Sequence, residues 1–284
     1  MALVDRAPAQ PVRPSLLTSE GRHALGARAL NHPVLTILAV YLISRLVALL
    51  ALWVAATWFQ TPAGVGHDDP GLGDMFGLWD GVWYQRIAQD GYPVPLPVDA
   101  DTGRVTYSAW AFYPLYPYLV KLLMVTGMPF AAAGVVLNVV LGGVAALLIW
   151  AVLRSGEHAD RQPQRDRLAL VAAGLWCFYP TTAVMLKPYT EALAVALVAG
   201  ALLMLIRRNY LLVALVAIPL GFARGVAPAL GVAVFIHLMV RWREDRAAGV
   251  PPLLGQRWRA LVMLAAVGVS GVAWPVVAAV ATGV

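Results

Sequence analysis

From Pro33 to Phe59 the chain carries a single charge, Arg45, in an otherwise apolar run. At about 1.5 Å per residue, such a run is long enough to cross the roughly 30 Å hydrocarbon layer of a bilayer. It is too long for the apolar stretch of a secretory leader, which holds about 7–15 residues. Further apolar segments occupy 128–153, 168–186, 190–206, 211–240 and 260–281. A soluble enzyme built around one core is excluded, because 60% of the 284 residues are hydrophobic and 13% charged, against about 45–50% and about 25% in soluble domains. The single cysteine, Cys177, excludes a disulfide framework and a cysteine metal cluster. No soluble basic face is visible, so nucleic acid is not an expected partner. The abundance of Ala, Arg, Gly, Val and Pro points to a GC-rich bacterial source and to a bacterial plasma membrane.

Sidedness follows from the arginines, since basic residues in short loops mark the cytosolic face. Four lie in the polar segment 1–33, four in 154–167, two at Arg207 and Arg208, and five between Arg241 and Arg259, which makes fifteen of the 21 basic residues. Keeping all four clusters inside requires 211–240 to leave and return within 30 residues. Each limb then reaches only about 18–23 Å, so two short or tilted half-spans turning near Gly221–Pro228 are expected. The expected organisation is a flexible cytosolic tail, 1–33, and an all-α polytopic membrane domain, 34–284, with about seven spans. The loop 60–110 falls outside. It holds seven acids (Asp68, Asp69, Asp74, Asp80, Asp90, Asp99, Asp101) against two arginines, and loops of this length are usually functional.

Within that loop, Phe76, Trp79, Trp83 and Ile87 recur at helical spacing over 73–88, which predicts an aromatic helix lying in the membrane interface. Asp80 and Tyr84 are one turn apart on it. Asp80 is either a reactive carboxylate or a solvated acid on an amphipathic helix. Next comes Ala111-Phe112-Tyr113-Pro114-Leu115-Tyr116-Pro117-Tyr118. Its two prolines suit a helix start, and its tyrosines suit either an interfacial belt or a sugar-stacking platform. Lys187-Pro188-Tyr189-Thr190-Glu191 reads as a charged turn on the outer side, in which Thr190 and Glu191 could simply cap a helix. Arg224-Gly225 falls at the outer turn of 211–240, where Arg224 either contacts a ligand or snorkels to headgroups. Arg45 lies near mid-membrane, in a structural pairing or in a binding role.

An acid and several cations at a lipid interface suit one reaction well. A carboxylate can deprotonate a hydroxyl, while Arg and Lys neutralise a departing lipid phosphate. Nucleotides are absent outside the cell, which favours a lipid-linked donor. No nucleotide-binding loop, zinc-protease pair or nucleophile elbow is present.

At these residues the sequence resembles the PIG-V-type mannosyltransferases of the GT-C glycosyltransferase class. The resemblance rests on Trp79-Asp80 with Gly91-Tyr92, Ala111 to Pro117, Tyr189-Thr190-Glu191 and Arg224-Gly225, in that order over roughly 34–240. Tyr113 stands where the family more often has Phe. The resemblance implies a GT-C-like helical bundle and inverting transfer of mannose from a polyprenyl-phosphate donor to the hydroxyl of a glycan, lipid or protein acceptor. It implies no metal and no cofactor, and it assigns the base to Asp80. Candidate substrate-binding residues are Trp79, Tyr84, Arg86, Tyr113, Tyr116, Lys187, Tyr189, Glu191 and Arg224. Members of the family continue with further spans, so the chain ending at Val284 reads as truncated at its C-terminus. Two other readings compete. One is a lipid or sugar transporter or flippase with Arg45 and Arg224 lining the path, although no internal repeat supports it. The other is a catalytically inactive GT-C-like scaffold.

Overall fold

The structure, a computed structural model, describes residues 29–59, 71–155 and 162–283. Most of the expected tail, together with Asp68 and Asp69, lies outside the described residues. Ten α-helices are named here in chain order: α1 (Pro33–Trp58), α2 (Leu72–Gly77), α3 (Asp80–Asp90), α4 (Leu115–Met124), α5 (Phe130–Arg154), α6 (Gln162–Cys177), α7 (Glu191–Ile206), α8 (Tyr210–Ala223), α9 (Ala227–Ala247) and α10 (Arg257–Thr282). A 3-10 segment, Pro180–Leu186, follows α6. Among the described residues no β-strand forms; Val98 and Val105 make one isolated bridge.

Three helices, α1, α5 and α10, are long and apolar enough to cross a membrane. A fourth crossing is formed if α6 and the 3-10 segment, bent by 68° to each other, count as one. The chain is thus a multi-pass helical membrane protein. The seven-span path would also need the 16-residue α7, the 14-residue α8 and α9. The break anticipated near Gly221–Pro228 falls at Arg224–Val226, between α8 and α9. Helix α9 runs on to Ala247, beyond the expected limit at 240, because Arg241 bonds Glu244 at 2.8 Å and Asp245 at 2.9 Å along the helix. Such pairs one turn apart support a helix in water.

The long helices α1, α5 and α10 are apolar almost all round, so burial in them follows residue size and polarity rather than a hydrophobic stripe. Helix α1 turns Leu42, Leu46 and Leu50 outward and keeps Ile37, Tyr41, Ser44 and Arg45 inside. This is the pattern expected where the outer solvent is lipid. Three core clusters result. One joins α8, α9 and α10 around Leu220, Val234 and Met263. Another joins α1, α5 and α6 around Tyr41, Trp150 and Cys177. The third gathers α3, α4, α5 and the start of α7 around Tyr84, Tyr116 and Phe130, and the charged residues lie against it.

Arg45 belongs to the frame. It is 4% exposed, and its guanidinium donates to the carbonyls of Thr182 and Cys177 and to Thr182 Oγ1. Cys177 ends α6, so its carbonyl is open to another donor, and an arginine fork can satisfy several acceptors at once.

Candidate active site

The aromatic stripe expected over 73–88 is broken. Trp79 has φ +54° and ψ −123°, a conformation costly for a side chain of this size. The helix stops at Gly77 and restarts at Asp80. Phe76 and Ile87 are buried, while Trp79 points outward and is exposed. The break makes Asp80 the first residue of α3, where the exposed N–H groups and the helix dipole favour a carboxylate. Gly81 lets this corner close: a Cβ there would stand 2.6 Å from the Phe76 carbonyl and 3.4 Å from the Tyr189 ring.

Tyr189 holds the corner from the other side. Its hydroxyl donates to the Leu78 carbonyl at 2.8 Å, and the amides of Asp80 and Gly81 face its oxygen. Burial, and then the charges of Asp80 and Glu191, push its phenol up to about 12, so it stays protonated at neutral pH. Tyr84 is raised as well, by burial first and then by Glu191 and Asp80. Asp80, Tyr84, Tyr189, Glu191 and Arg224 therefore lie within one another's electrostatic reach.

The turn Lys187–Thr190 is buried. Asn138, fully enclosed on α5, donates through Nδ2 to the carbonyls of Lys187 and Tyr189. Thr190 makes no side-chain cap; its hydroxyl donates instead to the Ala223 carbonyl at 2.9 Å. That bond fastens the start of α7 to the end of α8, and so brings Glu191 against Arg224. Their ion pair measures 2.7 Å, and Glu191 Oε2 is buried with no partner. Lys187 is held differently. Its Nζ lies 4.0 Å from the centroid of Trp79, with no carboxylate in salt-bridge range among the described residues, and burial lowers its pKa.

A groove of about 460 Å³ opens beside the Glu191–Arg224 pair. Its floor is a stripe of α7, Glu191, Ala194, Val195, Val198, Ala199 and Leu202, with Ile149 and Val226 at the sides. Spacing of i, i+3, i+4, i+7, i+8 and i+11 keeps these on one helix face, so an apolar channel leads away from a charged mouth.

The other expected contacts separate. Tyr116 is fully enclosed, with its hydroxyl 3.4 Å from the Gly134 carbonyl it donates to; it is core, not a sugar platform. Tyr84 is likewise buried, edge-on to Phe112 and Tyr116 at 5.4 Å, so only its electrostatic reach links it to the charges. Tyr113 packs under the turn after Arg224, where a Cβ on Gly225 would meet its hydroxyl at 2.9 Å. Arg86 departs from the group altogether: it stacks on Trp83 at 5.1 Å and lines a second cleft. Two contributors escaped the sequence reading. Asn138 was signalled by a lone amide inside an apolar run. Trp274 of α10 was not; it stacks on Trp110 at 5.3 Å and donates to the Trp110 carbonyl at 3.2 Å, anchoring the 91–112 segment.

No family model, no curated protein and no solved structure matches this chain.

Proposed function

We propose that the chain is a membrane glycosyltransferase that moves mannose from a polyprenyl-phosphate donor to an acceptor hydroxyl on the extracytoplasmic side, with inversion and without a metal. The observation that carries this reading is the charged mouth of an apolar groove: Arg224 and Glu191 at the end of the α7 stripe, with Asp80 in electrostatic reach. A polyprenyl tail suits the groove, since apolar walls with a few polar groups at one end are what a lipid-linked ligand requires. The donor phosphate then meets the free donors of Arg224 and the Lys187 ammonium.

In this reaction the acceptor O–H proton passes to Asp80 as its oxygen attacks C1 of the sugar. The C1–O bond to phosphate breaks, and its electron pair leaves on the phosphate, where the cations stabilise the growing charge. Attack from the face opposite the leaving group inverts the anomeric centre. Glu191 orients Arg224, and Tyr189 holds the turn that carries Asp80.

The test uses membranes carrying the full chain and radiolabelled polyprenyl-phosphate mannose. Labelled product is expected, and Asp80→Asn should reduce its rate by about 10²–10⁴-fold, the typical worth of a positioned base, with the amount of protein unchanged. Equal rates remove Asp80 from the mechanism. No product from the parent leaves the scaffold reading.

A further inference from the structure

We infer that the cleft between the second half of α3 and the 91–109 segment binds a neutral saccharide. Its volume is about 320 Å³, and Trp83, Arg86, Asp90, Tyr107 and Ser108 line it. Three observations carry the inference.

The first is an aromatic wall. Trp83 is backed by Phe112, parallel within 13° at 5.7 Å, and Tyr107 stands against it at 5.4 Å. Tyr107 is 73% exposed, a large apolar face turned to solvent. Sugar rings present C–H faces that stack on such rings.

The second is a pair of opposite charges left unpaired. Arg86 and Asp90 are one turn apart on α3, a spacing at which they could bond, yet no salt bridge joins them. Arg before Asp is the weaker order on a helix, and the guanidinium lies over Trp83 instead. The cleft is thus lined by N–H donors of a guanidinium and by a carboxylate that has no salt bridge among the described residues. A sugar hydroxyl both donates and accepts, so adjacent hydroxyls can bridge the two. Their cancelling charges favour neither an anion nor a cation.

The third is stiffness. The Pro93 carbonyl accepts from Trp110 Nε1 at 2.9 Å and the Pro97 carbonyl from the Thr106 amide at 2.9 Å, while Trp274 braces Trp110. The wall is formed before a ligand arrives, which reduces the ordering cost of binding.

That the saccharide is the acceptor rests on the transferase reading. Arg86 lies six residues from Asp80, about 9 Å along the helix axis, so an oligosaccharide rather than a single sugar would reach both.

The test is saturation-transfer NMR on the full chain in nanodiscs, with α-linked mannotriose, maltotriose and inorganic phosphate as probes. At least one trisaccharide should bind and phosphate should not compete with it. Tyr107→Ala and Asp90→Asn, both at exposed positions, should each weaken binding about tenfold, the worth of one good contact, with the thermal midpoint unchanged. Absence of trisaccharide binding, binding indifferent to both variants, or displacement by phosphate overturns the inference. Saccharide binding together with no labelled transfer would keep the cleft and overturn the transferase reading. Transfer without saccharide binding would do the reverse.

Discussion

Arg45 and Lys187 bracket the bent segment between α6 and α7. They are equally enclosed, 4% and 5% exposed, but they are held in opposite ways. Arg45 spends its donors on carbonyls and a hydroxyl of the chain. Lys187 meets two aromatic faces, Trp79 at 4.0 Å and Tyr189 at 5.6 Å, and no carboxylate among the described residues. A buried cation whose bonds are complete is architecture, whereas one that meets only π-faces among the described residues is the one that the proposed function uses for the donor phosphate. The difference lies in the partners and not in burial.

The largest expected effect is on folding. Arg45→Ala removes the bonds to the Thr182 and Cys177 carbonyls and to Thr182 Oγ1 and empties a buried site, at about 1–3 kcal/mol for each group left unsatisfied. Extracted protein should then aggregate or melt well below the parent in size-exclusion and thermal assays. Lys187→Met should show the converse: normal yield and melting, but a drop of about 10²-fold in transfer, the scale of one lost electrostatic contact to the reacting group. Should both variants fail to fold, or both fold and lose activity, the contrast between the two cations collapses.

A smaller effect sharpens it. Thr190→Val keeps the shape and removes the bond to the Ala223 carbonyl, costing about 1–2 kcal/mol. The thermal midpoint should fall by a few degrees, and transfer should fall with it as Arg224 drifts from Glu191. The smallest effect is on pH dependence. Tyr189 titrates near 12 when folded and near about 10 when unfolded. Its contribution is complete below pH 10 and is lost as pH rises from 10 towards 12, because only the unfolded phenol ionises there. Melting followed across that interval should fall less steeply in Tyr189→Phe, with the remaining slope shared by other phenols that burial raises, Tyr84 and Tyr92 among them.

The long helices were legible because apolar length against bilayer thickness leaves few choices, and even the α8–α9 break followed from counting residues between arginine clusters. The corner at Trp79 was not. Phe76, Trp79, Trp83 and Ile87 keep helical spacing straight through it, and only the tertiary bond from Tyr189 to Leu78 reveals why the helix stops. The pairing of Glu191 with Arg224 was equally hidden, since it depends on Thr190 reaching Ala223, a contact between positions with no periodic relation. Arg86, a candidate substrate-binding residue of the resemblance, is turned to another face because six residues of helix separate it from Asp80.

The Trp274 contact bears on biosynthesis. The 91–112 segment emerges from the ribosome long before α10, yet its brace is the indole of Trp274, which donates to Trp110 and packs on Tyr92 at 4.9 Å. Until α10 is made, Tyr92 and Trp110 of this segment lack the Trp274 ring as a partner. Only when α10 inserts does this segment acquire the Trp274 contact, so its completion waits on a residue 164 positions downstream.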